Sequence, residues 1–246
     1  MNLSGNKENL LGFDISTLPQ EELIESALSQ IGENKNVHIV TINPEIMEMA
    51  AKNDDLSDII KSAEIIIPDG IGIKIGFKIK GIDIQRTAGI EFAYKLLEKA
   101  QEKNLPVALI GAKNDVLELT SANLKKKMPN LNIVYQRDGY FGEADEEGIL
   151  ENIIALKPSV VLVALGAPKQ EIFISKLKNC CKGTIFVGVG GSFDVWSGRT
   201  RRAPVIFQKL GLEWFYRTVT QPSRLKRIFP TLPLFLFRVI IDEGKK

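Results

Sequence analysis

Six short runs of β-branched and aliphatic residues, each followed by a stretch with helical spacing, restrict the folds open to this chain more than any other feature. The runs are Val37–Ile42, Glu64–Ile67, Val107–Gly111, Asn132–Tyr135, Val160–Leu165 and Thr184–Val189. Several are apolar at nearly every position, as expected of strands buried on both faces. The intervening stretches are Glu45–Ala51, Leu56–Ala63, Ile90–Lys103, Asp115–Lys127, Glu146–Leu156 and Gln170–Asn179. Ala93, Leu96, Leu97 and Ala100 mark an apolar face on one of them. Strands alternating with helices predict an α/β fold with a mostly parallel, Rossmann-like sheet flanked by helices. A chain of 246 residues is enough to bury a substantial core.

The clear change of composition comes near Arg199. From there the sequence carries Arg199, Arg201, Arg202, Lys209, Arg217, Arg224, Lys226 and Arg227, while the whole protein is only +2. Trp214, Phe215, Tyr216, Phe229, Phe235 and Phe237 are interleaved with the charges or follow them. The expected division is a core over residues 1–198 and a basic helical appendage over residues 199–246. Pro222, Pro230 and Pro233 are expected to break the appendage into short pieces. Charge concentrated in this way meets partners that are anionic and partly apolar, such as a lipid-linked diphosphate or a nucleotide. A solvated basic face is the plain alternative. The modest net charge and the lack of a helix-turn-helix, zinc-finger or RNP pattern argue against nucleic acid, and a membrane-surface role is favoured. The N-terminus lacks the apolar run of a signal peptide. The apolar stretch from Phe229 to Ile241 holds two prolines and an arginine and falls short of the ~20 residues that span a bilayer. The expected location is cytoplasmic, at the inner face of the membrane without crossing it. The adjacent Cys180 and Cys181 fit a reducing compartment better than a disulfide framework. The first ~20 residues give no interpretable signal.

In open parallel sheets, ligands bind beyond the carboxyl ends of the strands. The polar and glycine residues there are Thr41 and Asn43, then Asp69, Gly70 and Gly72, then Gly111 and Asn114, then Gly166, Pro168, Lys169 and Gln170, and last Gly188, Gly190, Gly191, Ser192 and Asp194. Asp69 ends an apolar run and is ionised at neutral pH, so it suits a general base. On local sequence alone, a turn or helix-cap aspartate describes it better. Gly70-x-Gly72-x-x-x-Gly76 and Gly188-x-Gly190-Gly191 are loose versions of a nucleotide-binding glycine pattern. Either lets backbone N–H groups approach a phosphate, and each alone reads equally as a turn. Gln170, in the opening turn of a helix, faces a ligand in one reading and is an ordinary surface residue in the other. His38 is the only histidine and lies inside a strand, which suits packing better than catalysis. Without a second histidine or a D-x-D pair, the sequence presents no metal constellation. Stabilising a diphosphate leaving group then falls to arginines and helix dipoles. No cofactor is called for.

Taken in order, the motifs are Thr41-Ile-Asn43-Pro44, Pro68-Asp69-Gly70-Ile-Gly72, Leu109-Ile-Gly111-Ala, Gly139-Tyr140-Phe141, Gly166-Ala-Pro168-Lys-Gln170-Glu171 and Gly188-Val-Gly190-Gly191-x-Phe193-Asp194. Arg202-Ala-Pro204, Gly211-Leu-Glu213-Trp214, Arg217 and Gln221-Pro222-x-Arg224-x-x-Arg227 follow. This ordered set resembles the WecG/TagA/CpsF glycosyltransferase family over roughly Val37 to Arg227. The resemblance implies transfer of N-acetylmannosamine from its UDP donor to a GlcNAc hydroxyl on undecaprenyl diphosphate. The transfer inverts the anomeric centre, forms a β-1,4 link and needs no metal, as in wall teichoic acid linkage-unit synthesis. It makes Asp69 the base, lines the donor and acceptor pocket with Thr41, Asn43 and Gln170, gives Arg86 a phosphate, and folds Arg217, Arg224 and Arg227 over the diphosphate. Another UDP-sugar within the same family, a nucleotide-cofactor oxidoreductase and a non-catalytic membrane-binding module remain the competing readings. Self-association is a further expectation, since the tail's aromatics need cover away from a membrane.

Overall fold

Strands that are apolar at every position belong in the middle of a sheet covered on both sides, and the six runs form one such sheet with its most apolar strands inside. The structure is a computed structural model that describes residues 6–209, 212–220 and 225–244; the side chains of 208, 209, 214, 217, 218, 220 and 225–229 stand outside that description. β3 (Val37–Ile42), β4 (Ile65–Pro68), β5 (Val107–Gly111), β6 (Ile133–Arg137), β7 (Val160–Ala164) and β8 (Ile185–Gly188) form one parallel sheet in the order β4-β3-β8-β7-β5-β6. β5 and β7, in the interior, are buried at all five positions, while β6 at one edge is only partly covered.

Alternate residues of each strand face opposite layers. Val37, Ile39, Leu109, Leu162 and Val187 pack against α1 (Gln20–Gly32), α5 (Gly89–Glu102) and α6 (Asn114–Lys127). On the other face Val40, Ile42 and Ile66 meet α2 (Pro44–Ala50), α3 (Asp54–Lys61) and α4 (Ile71–Ile79). Farther along that face Ile110, Val161 and Phe186 meet α7 (Glu143–Leu156) and α8 (Lys169–Cys180). The predicted Ala93, Leu96, Leu97 and Ala100 stripe is buried on α5. His38 is buried in β3, where burial, aided by the nearby Lys178 charge, lowers its pKa to about 3. It is therefore a neutral core residue.

Three elements differ from the sequence reading. The uninterpreted N-terminus forms a hairpin, β1 (Lys7–Leu10) with β2 (Phe13–Ser16), whose Leu10, Phe13 and Ile15 extend the core beside β4. Two helices, α1 and α4, were not expected. The third difference is a correction. After α9 (Ser192–Trp196), which ends the core segment, the tail forms α10 (Val205–Lys209), α11 (Glu213–Thr220) and α12 (Leu225–Glu243), and α12 runs through Pro230 and Pro233 without breaking. A proline inside a helix costs about 3 kcal/mol. Burial of Phe235 and Val239 in the core offsets much of this, at about 1.5–3 kcal/mol each. Arg238 adds an ion pair with the buried Glu48 of α2 at 2.9 Å. Pro222 lies outside the described residues.

Candidate active site

The neighbouring strands β3 and β8 send their following segments to opposite faces of the sheet: α2 covers one face, and α9, through Phe193, covers the other. Such a parting opens a crevice at the strand ends. A cavity of ≈ 510 Å³ lies there.

Each wall has a local cause. Asn43 ends β3 and caps α2, its Oδ1 accepting the Ile46 N–H at 3.0 Å, with Pro44 in the first helical position. Thr41 donates to the Gly188 carbonyl at 3.4 Å, tying β3 to β8 at the rim. Gly89 lets α5 lie on Thr41, since a Cβ there would stand 2.8 Å from Thr41 Cγ2. The Asp69 N–H donates to the Ile42 carbonyl at 2.8 Å, which sets its half-buried side chain at the end of β4 beside β3. The Thr87 N–H donates to the Pro68 carbonyl at 3.0 Å and draws Arg86 to the same rim. Gln170, in the first turn of α8, is buried; its Oε1 accepts the Gly190 N–H at 3.0 Å.

Thr41, Asn43, Asp69, Arg86 and Gln170, far apart in the sequence for the most part, thus line one cavity. Arg224 lies outside the described residues, as do the side chains of Arg217 in α11 and Arg227 in α12. The described lining holds four carboxylates, Glu45, Asp69, Asp194 and Glu213, and one arginine, Arg86. An aspartate that can take a proton, a threonine and an asparagine that can bind hydroxyls, and an arginine for phosphate make an arrangement suited to group transfer from an anionic leaving group.

The sequence pattern of the "Glycosyl transferase WecG/TagA/CpsF family" matches residues 8–246. The chain belongs to this family. It is also 38% identical, over 214 residues, to the N-acetylglucosaminyldiphosphoundecaprenol N-acetyl-beta-D-mannosaminyltransferase of Bacillus spizizenii strain W23, covering 87% of this chain and 82% of the relative. The WecG/TagA/CpsF match includes the hairpin that the motifs did not reach.

In this WecG/TagA/CpsF protein several glycines of the two loose nucleotide patterns serve packing and backbone bonding. Gly72 allows α4 to touch α2 and α12, since a Cβ would come within 2.4 Å of Pro44 Cγ and 2.8 Å of Leu232 Cδ1. Gly76 faces Phe235 and Leu10. At the other pattern the N–H groups of Val189, Gly190 and Ser192 are already donated to Val163, Gln170 and Val189. This removes most of the support for a dinucleotide fingerprint.

The structure adds residues that the sequence reading did not place at a site. Glu45 follows the Asn43 cap, and Glu213, Thr231 and Leu232 reach the cavity from the tail. Glu213 lay within a quoted motif, and nothing in its type announced a wall position. Arg202 pairs with Glu91 of α5 at 2.5 Å and lies 4.0 Å from Glu213, linking the tail to the core beside the cavity. Among the described residues no three His, Cys, Asp or Glu side chains gather as a metal site, and no helix is long and apolar enough to cross a membrane.

Proposed function

We propose that this glycosyltransferase moves N-acetylmannosamine from a UDP donor to the GlcNAc of a polyprenyl-diphosphate acceptor. The reading rests on one observation above the others: Asp69 shares a cavity with Thr41, Asn43, Arg86 and Gln170 at the parting of β3 and β8. The donor and acceptor classes come from the printed activity of the relative at 38% identity. In the inverting step the Asp69 carboxylate takes the proton of the acceptor hydroxyl. The hydroxyl oxygen bonds to the anomeric carbon from the face opposite the nucleotide. The bond from that carbon to the β-phosphate oxygen breaks, and its electron pair leaves with UDP. Arg86, with Arg217, Arg224 and Arg227 from the tail, takes up the charge growing on UDP, so that no metal is required.

Residues 1–198 form the transferring core on this reading. Residues 199–246 complete the site and rest on the cytoplasmic face of the membrane. The exposed Val205, Ile206, Phe215, Val219 and Phe237 beside a basic sequence support that placement.

The test is UDP release from UDP-N-acetylmannosamine in EDTA, with and without a short-chain polyprenyl-diphosphate-GlcNAc. Release that depends on acceptor and survives EDTA is expected. Release with another UDP-sugar alone would reassign the donor. No release with any UDP-sugar would overturn the reading.

A further inference from the structure

The side-chain amide of Gln170 is held at both ends. Its Oε1 accepts the Gly190 N–H at 3.0 Å, and its Nε2 donates to Glu171 Oε1 at 2.8 Å. Gly188 makes the space, because a Cβ there would lie 2.6 Å from Gln170 Nε2. An amide turned over keeps nearly the same shape, so only its partners decide which way it points. Here the reversed amide would set N–H against the Gly190 N–H and oxygen against the Glu171 carboxyl. The first contact is repulsive in either state of Glu171 and the second while Glu171 is ionised, at a side chain only 3% exposed.

Glu171 itself is 1% exposed, and its Oε2 has no hydrogen-bond partner. Burial raises its pKa, with hydrogen bonds from Gln170 and from its own backbone N–H working the other way. A buried carboxyl with a bare oxygen weakens a fold, and an apolar side chain of similar shape is neutral or stabilising in such a place. Two contacts are left for the carboxylate, its own backbone N–H in the first turn of α8 and the Gln170 amide, and only the second reaches the cavity wall. The loop that Gln170 grips, from Val189 to Ser192, is a wall of the cavity.

We propose that Glu171 is a positioning residue for sugar transfer: through the Gln170 amide it fixes the Gly190 loop that walls the cavity. The proposal rests on the donor reading given above. Protonated or ionised, Glu171 offers Oε1 as an acceptor to Nε2, and glutamine at 171 keeps that acceptor. Methionine keeps the bulk and loses it.

The experiment compares wild type, Glu171→Gln and Glu171→Met by donor kcat/KM, thermal midpoint, and hydrogen exchange of the Gly190 amide. Glu171→Met is expected to lose about 10- to 100-fold in donor kcat/KM, with a midpoint no lower than wild type and faster Gly190 exchange. Glu171→Gln is expected to stay within about threefold of wild type. Full turnover in Glu171→Met overturns the proposal, and so does an equal loss in Glu171→Gln. If Glu171→Met fails to fold, Gly190 exchange in Glu171→Gln decides, wild-type protection being expected and lost protection overturning the relay. An inactive wild type would sink the donor reading instead. The exchange of Gly190 in Glu171→Met would then judge the relay alone, unchanged exchange refuting it.

Discussion

Gly72→Ala separates the two roles a glycine can have beside a nucleotide site. If Gly72 makes room for a phosphate, the added methyl weakens nucleotide binding and leaves the fold intact. The structure gives it the other role. Gly72 lies inside α4 without a positive φ, so alanine strains no backbone there. Its Cβ would meet Pro44 Cγ at 2.4 Å and Leu232 Cδ1 at 2.8 Å. Carbon atoms settle at about 3.5–4.0 Å, so the contact with Pro44 is short by about 1 Å. Pro44 is the first residue of α2 and cannot swing away as a long side chain does. Helix α4 must move from α2 and α12 together. Overpacking of this kind costs about 1–3 kcal/mol, against a gain of about 0.5–1 kcal/mol for replacing glycine in a helix. The net expectation is a loss of about 1–2 kcal/mol. Gly148→Ala is the matched control, since Gly148 sits in α7 with nothing within 4 Å of the added methyl. It should gain about 0.5–1 kcal/mol. Urea unfolding of the three proteins reads the stabilities, and UDP calorimetry reads the site. A Gly72→Ala midpoint at or above wild type, with weakened UDP binding, would refute the packing argument and restore the phosphate role.

Other consequences are as direct. Asp69→Asn should lower kcat by about 10²–10⁴-fold with an unchanged thermal midpoint; wild-type turnover would remove Asp69 from the mechanism. His38 is held neutral by burial, with a pKa lowered from 6.5 to about 3, so the unfolded chain binds its proton first as pH falls. Its contribution to stability is complete above about pH 6.5 and is lost progressively down to about pH 3, by at most about 1.4 kcal/mol per pH unit. Glu171, whose pKa is raised, acts in the opposite sense: its contribution is complete below the ordinary value of 4.5 and is lost as pH rises. The difference between wild type and His38→Leu in urea midpoints from pH 7 to 4 isolates the histidine, and parallel curves would contradict its assignment. Arg238→Met leaves the buried Glu48 without that cation. Because the Arg238 side chain is 35% exposed, the loss should be about 1–2 kcal/mol rather than the larger value of a fully buried pair, read as a lower urea midpoint.

The sheet was legible because its strands are continuous apolar runs, which have no other stable placement. The rim followed from the rule for parallel sheets, and Thr41, Asn43, Asp69 and Gln170 stand where that rule puts them. The signals that failed were short or local. β1 and β2 are four residues each, β1 mostly polar as in K-E-N-L, and it is their mutual pairing from Lys7 with Ser16 to Leu10 with Phe13 that makes them strands. α4 was hidden by its own glycines, which look like a loop motif until Pro44, Leu232 and Phe235 are seen pressing on them. Glu171 gave no signal beyond its motif, since nothing in a sequence tells a buried carboxyl from a surface one.

The change of composition near Arg199 says nothing of how the two parts of the chain pack. Phe235 and Val239 lie in the same apolar cluster as Ile42 and Ile66 of the sheet and Leu10 of the hairpin. Arg238 holds Glu48 on α2, and Lys80 reaches both the Asn9 carbonyl at 2.7 Å and Glu243 at 3.5 Å. The last third of α12 is thereby tied to the N-terminal hairpin and to the helix that Asn43 caps. A few residues earlier, Thr231 and Leu232 of the same helix face the cavity. The far end of α12 is thus packed on the core, and the cavity wall at Thr231 and Leu232 belongs to the same helix.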